Sequence, residues 1–199
     1  FQGVFLAIIF GKVTGGDVKL STNIDFDSDL GLYGKNIQIQ DSSDDFVIGG
    51  KLTIGATKNI TLSNTVLASG SVEMKTTEGK IKLDSTESLK ATDLTLEANT
   101  GIDLDQLDVS TISAINQGSG AIDLNVVASS GDVTVSNLST QDGNIELTTQ
   151  NGSIITAGAS TGTGDIDIVA SSTDTTASIT ITSAVSTTSG SINVKAKDD

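Results

Sequence analysis

The sequence predicts an all-β fold, a right-handed parallel β-helix (β-solenoid) with about 21 residues per coil and roughly eight or nine coils. Three observations predict it. A short motif, a turn residue followed by apolar residues at alternating positions, recurs along most of the chain. The copies return at a nearly constant spacing. Proline, which would remove a donor from a strand ladder, is absent.

The chain begins with its densest apolar stretch, "FQGVFLAIIFGKV". Val4, Phe5, Leu6, Ala7, Ile8, Ile9 and Phe10 are too few for a bilayer span, which needs about 20 residues. They lack the basic start and small-residue cleavage site of a signal peptide. The patch reads as a buried strand or an assembly surface, in a chain that reads as a processed product or a piece of something longer. Tyr33 and every Phe lie at or before Phe46. Residues 1–48 are therefore expected to form irregular N-terminal coils or a cap carrying an apolar assembly strand, and residues 49–199 the regular repeats.

Within that first part, "NIDFDSDLG" places Asp25, Asp27 and Asp29 at the spacing of the first three ligands of a calcium loop. Leu30 stands where such a loop needs glycine and Asn36 where it needs its distal glutamate, so this is not an EF-hand. Taken as a strand, Ile24 and Phe26 face inward and the three aspartates share the outer face, where Ca2+ would relieve their repulsion. Plain solvated carboxylates are the simpler alternative. Asp103, Asp105 and Asp108 in "GIDLDQLD" invite the same two readings.

The repeats follow. They include "GKLTI" at 50–54, "GSVEM" at 70–74, "GKIKL" at 79–83, "GAIDL" at 120–124, "GDVTV" at 131–135, "GNIEL" at 143–147, "GDIDI" at 164–168 and "GSINV" at 190–194. The first apolar residues Val133, Ile145, Ile154 and Ile166 stand 12, 9 and 12 apart, so one long and one short step sum to 21. Residues 131–147 align without a gap on 152–168, and residues 60–81 align on 133–154 at an offset of 73. The next return, at Val185, takes 26 residues, which predicts an insertion near 171–176 bulging out as a loop. Tandem hairpins give no reason for a fixed 21-residue identity. A parallel coil does, because each residue then stacks about 4.8 Å above its equivalent one circuit earlier. Ile145 should lie between a residue near 122–124 and Ile166, with Gly143 and Gly152 at corners. The rod should be on the order of 40 Å long.

Composition narrows the function. The net charge is −14, and residues 98–194 hold ten acidic residues and no lysine. Such a surface does not suit nucleic acid. It reads as a soluble, self-repelling face or as one that meets divalent cations. His, Cys, Trp and Arg are absent, which excludes disulfides, thiolate metal sites and any Ser-His or Cys-His nucleophile. No aromatic follows Phe46 to serve as a platform for sugar rings. The chain is therefore expected not to be an enzyme. Thr180 and Thr182 form an isolated Thr-x-Thr that does not recur on each coil, which argues against ice binding. Sequons at Asn59, Asn137 and Asn151 are no more than chance supplies in so Asn-, Ser- and Thr-rich a chain.

The "G-[DNS]-[IV]-x-[LIV]" strands of residues 50–194, paired into coils near 21 residues, resemble the repeat regions of filamentous-haemagglutinin-like bacterial adhesins and related surface exoproteins. The resemblance implies an extracellular β-helical shaft at the bacterial cell surface, serving adhesion or surface structure. The Asn-Pro motifs that mark that family's secretion domain have no counterpart in this proline-free chain. On this reading the chain is a structural block of a fibre or adhesin shaft. Its partners are further repeats of a longer adhesin or copies of itself joined head to tail through Val4–Phe10. A host or neighbouring-cell surface is a further partner, and no transmembrane segment is expected. A calcium-assisted adhesion or glycan-binding module is the alternative.

Overall fold

The computed structural model describes residues 7–12, 15–21, 24–40, 44–127, 131–172 and 177–198. These form 24 strands and no helix. Every strand pairing is parallel, in one sheet of 11 strands and one of 13. The molecule is a β-solenoid of about 8 coils with roughly 22 residues each.

Alternation in the sequence becomes alternation across the sheet. Leu52–Ala56 buries Leu52, Ile54 and Ala56 and turns Thr53 and Gly55 outward. Each inward residue stacks on its equivalent in the next coil. Leu30, Leu52, Val72, Leu94 and Ile112 form one such column, all at most 3% exposed. Ile122, Ile145, Ile166 and Ile192 form another, so Ile145 sits between the two neighbours its spacing requires. Aliphatic side chains fill the narrow interior. Phe46 is the one fully buried aromatic among the described residues. Coil length is elastic: Leu94 reaches Ile112 in 18 residues, and Ile166 reaches Ile192 in 26. The long last circuit carries the expected insertion, though residues 173–176 lie outside the described residues.

The strands of residues 7–48 enter the same two sheets. Asp29–Gly34 pairs with Ala7–Gly11 on one side and Leu52–Ala56 on the other, across the boundary expected at residue 48.

The cross-section changes along the rod. Through residue 90 each coil has one long strand and two short ones, as in Leu52–Ala56, Ile60–Leu62 and Val66–Ala68. At Ile102–Asp108 the two short faces fuse, and this strand pairs with both Ile81–Leu83 and Leu89–Lys90. A register shift between Leu104 and Leu107 absorbs the lost corner. Gln106, at φ 54°, is the one non-glycine residue of the described chain with positive φ. The opposite sheet then divides: Val133–Asp142 pairs with both Ile154–Thr156 and Ala159–Thr163. The 73-residue match is therefore not a whole number of coils. Ile60 lies in the 13-stranded sheet and Val133 in the 11-stranded one. The match lays the two short strands Ile60–Leu62 and Val66–Ala68 over the single strand Val133–Asp142 on the other face.

Corners are held by a chemistry that explains the motif. The residue after the corner glycine accepts, through its side-chain oxygen, the backbone N–H of its equivalent one coil on. Asn144 Oδ1 accepts from Asp165 N at 3.0 Å, and Asp165 Oδ1 from Ser191 N at 2.7 Å. Near the start Asn36 and Asn59, each following a lysine, accept the next coil's N–H in the same way. The preference for Asp, Asn or Ser after glycine is thus a hydrogen-bonding requirement. Inside the same corner, threonines satisfy glycine carbonyls. Thr140, Thr161 and Thr187 donate to the carbonyls of Gly120, Gly143 and Gly164 at 3.0, 2.8 and 2.9 Å. Asn116 begins this column and also donates to Thr140 Oγ1 at 3.1 Å. No buried side-chain N or O atom of the described residues lacks a partner.

Candidate functional site

With the interior given over to aliphatic columns, whatever the protein contacts must meet the outer ladders or the two ends of the stack. The outer ladders divide into two chemistries. In the first half, lysines and glutamates one coil apart pair with each other: Lys51 Nζ lies 2.6 Å from Glu73 Oε2 and Lys75 Nζ 2.6 Å from Glu97 Oε2. Lys58 and Glu78 pair likewise. These side chains are solvent-accessible, so each pair contributes little to stability, about 0–1 kcal/mol.

In the second half the same parallel register stacks like charges. Asp103, Asp123, Glu146 and Asp167 occupy one outward column of the 13-stranded sheet, followed by Asn193. Desolvation raises the Asp123 pKa above 3.8, and Glu146, Asp103 and Asp105 push it the same way. Period and register together impose this repulsion, because a residue repeated every coil must neighbour itself.

Asp25, Asp27 and Asp29 are exposed, but they do not share one strand. Asp25 lies in Asp25–Phe26 of the 13-stranded sheet, Asp29 opens Asp29–Gly34 of the 11-stranded sheet, and Asp27 stands at the corner between. The circuit must turn here to close. Asp29 Oδ1 also accepts the backbone N–H of Lys51 at 2.7 Å, a corner role rather than a free ligand. Ile24 and Phe26 do pack against the core. Among the described residues no group of three or more His, Cys, Asp or Glu side chains is placed to hold a metal ion.

Of the seven N-terminal apolar residues, Val4, Phe5 and Leu6 lie outside the described residues. Ala7–Gly11 is a strand in parallel register with Asp29–Tyr33. Ile9 and Phe10 are 68% and 49% exposed. At the other end of the stack Ile181, Ile192 and Val194 are 40–46% exposed, although Ile192 and Val194 continue the buried columns of Ile166 and Ile168. Thr180 stacks on Ile155, Ile155 on Thr134 and Thr134 on Thr111, so Ile155 interrupts the threonine run of that column.

One feature of the outer wall escaped sequence reasoning. A notch of about 250 Å3 opens on the 11-stranded sheet, lined by Tyr33, Thr53, Gly55, Glu73, Lys75 and Thr77. Tyr33 and Lys75 are far apart in sequence and border one notch only because each stacks against Gly55.

The chain matches no family model, no curated protein and no solved structure. What fold and surface define is a class: a β-solenoid whose coils are closed by glycine, Asx and threonine corners. No helix of the described residues is long and apolar enough to cross a membrane.

Proposed function

We propose that the chain is a structural segment of an extracellular bacterial fibre or adhesin shaft. The observation that carries this is the uniform parallel stacking from Ala7 to Asp198. Each coil meets only its neighbours, so such a protein gains length simply by adding coils, which is the property a spacer needs. The polar, acidic outer ladders keep that rod soluble and discourage sideways association. The resemblance of the repeat to adhesin shafts supplies the extracellular setting.

The stack ends support a finer reading. Phe10, Ile192 and Val194 belong to inward columns and remain open at the first and last described coils. A further coil covers them, either from flanking repeats of the same protein or from a second copy docked head to tail through Ala7–Phe10. Negative-stain microscopy of the purified chain separates these two. Rods of indefinite length support head-to-tail assembly, and monodisperse particles about 40 Å long at every concentration remove it. The shaft itself is tested by immunogold labelling of source cells both intact and sectioned: label seen only inside sectioned cells would end the extracellular reading.

A further inference from the structure

The surface ladder of the 11-stranded sheet runs Gly11, Tyr33, Gly55, Lys75, Glu97, one residue per coil. Gly55 contributes no side chain. Tyr33 and Lys75 therefore flank a gap two coil steps wide, roughly 9–10 Å between their backbones. Thr53 and Glu73 border it along the neighbouring ladder. A shaft has no need of such a recess, and its properties select a ligand.

The recess is smaller than the ~300–1,000 Å3 typical of sites for drug-sized molecules, so it fits a single ring. Its lining is mostly apolar, with Tyr33 as the one large flat surface. Its rim is polar but neutral. Lys51 balances Glu73, and Glu97 balances Lys75, each at 2.6 Å. A lysine has three donors and a carboxylate about four acceptor positions, so both pairs keep hydrogen-bonding capacity beyond their mutual contact. A chain of net charge −14 also repels anions. The matching ligand is uncharged, one ring wide, apolar on its face and rich in hydroxyls at its edge.

We propose that the notch over Gly55 is a subsite for one neutral pyranose unit of a glycan. The ring's C–H face lies on Tyr33, and its hydroxyls meet Glu73, Lys75 and the threonines. The shaft reading neither requires this site nor falls with it.

The competing explanation is that Tyr33 merely covers a glycine in the sheet. Tyr33 is the only tyrosine and the chain has no tryptophan, so tyrosine fluorescence reports from this notch alone. The full chain is titrated with methyl β-D-glucopyranoside, methyl β-D-galactopyranoside and methyl N-acetyl-β-D-glucosaminide, with glycerol as the polyol control. At least one glycoside should give a saturable change with half-saturation near 1–10 mM, as expected for so small a ligand. Gly55→Val fills the floor with a residue that strands favour, so it should keep the thermal midpoint and weaken the response at least tenfold. Gly55→Ser replaces it if the valine variant fails to fold. Saturation-transfer NMR on the glycoside gives a second readout, in which Tyr33→Phe keeps binding within about threefold and Tyr33→Ser loses it. A response to all three glycosides that is linear and equal to that of glycerol overturns the proposal. So does a saturable response that survives intact when Gly55 is replaced.

Discussion

Replacing three glycines by alanine separates the two constraints that a corner places on the chain. Gly143 has φ +130°, and a Cβ there would lie 2.4 Å from the carbonyl oxygen and 2.6 Å from the carbonyl carbon of Gly120, one coil away. Gly131 shares the positive φ, at +97°, but a Cβ there meets nothing within 4 Å. Gly16 has neither restriction. Backbone strain alone costs about 1–3 kcal/mol. At Gly143 the obstructing atoms are main chain, so no side-chain rotation relieves them, and adjacent coils must part. Gly143→Ala should therefore cost roughly 4 kcal/mol or more, in the range reserved for severe backbone or core damage. For a chain of this length about 2–4 °C is lost per kcal/mol. Thermal unfolding followed by far-ultraviolet circular dichroism should then show a fall of about 10 °C or more for Gly143→Ala. Gly131→Ala should fall by roughly 2–12 °C and by less than Gly143→Ala, and Gly16→Ala should not fall at all, since losing glycine's freedom in the unfolded chain favours folding slightly. Equal midpoints for Gly143→Ala and Gly131→Ala would refute close coil approach as the controlling factor.

Two further predictions concern polar columns. Because the Asp123 pKa lies above 3.8 in the folded chain, the folded state holds the proton more tightly than the unfolded state. Its contribution to stability is full below pH 3.8 and is lost as pH rises through the raised pKa, leaving a penalty at neutral pH. Asp123→Asn should therefore stabilise the protein at pH 7, by about 0.2–1 kcal/mol for a like-charge neighbour removed at this exposed position. That gain should shrink with added salt or Ca2+ and vanish at pH 3; urea titrations at the two pH values check the sign, and a gain equal at both refutes it. In the corner column, Thr161→Val removes the donor to the Gly143 carbonyl, a bond of 2.8 Å, and should cost about 1–3 kcal/mol, with Thr161→Ser recovering most of it. Equal urea midpoints for the valine and serine variants would refute the role of the hydroxyl.

The coil was legible in the sequence because period and alternation are both backbone properties. Val133, Ile145, Ile154 and Ile166 lie where their 12 and 9 steps place them, on successive faces around the core. What spacing could not reveal was which residues share an outward column when coil length varies between 18 and 26. Asp25, Asp27 and Asp29 look like one strand because they alternate, yet the corner at Asp27 divides them between two sheets. Tyr33, Gly55 and Lys75 look unrelated, yet steps of 22 and 20 stack them. A signal for the notch existed, since an outward tyrosine one coil from a glycine marks a recess, but it is readable only once the register is fixed. The inner column of Asn116, Thr140, Thr161 and Thr187 was hidden for another reason: buried threonines in a threonine-rich chain carry no compositional mark.

The migrating corner shows why so lean a sequence holds together. Moving a corner from one sheet to the other would expose backbone polar groups if corners depended on a fixed partner elsewhere in the molecule. Here the partners come from the coil next door: at several corners an Asx or serine oxygen accepts the next coil's N–H, and a threonine hydroxyl serves a glycine carbonyl. A corner can thus close at Ile102–Asp108 and another open within Val133–Asp142 without an unsatisfied buried side-chain atom among the described residues. The core asks only for aliphatic volume in register, which Ile, Leu, Val and Ala supply on any face. Both requirements are local to one coil and its neighbours, so the outer ladders are left unconstrained by folding. A bare glycine can therefore stand at position 55 between tyrosine and lysine, and four carboxylates can stack at the cost of some repulsion. Features of the outer wall that folding does not demand, the Gly55 notch first among them, are where a function beyond length has room to reside.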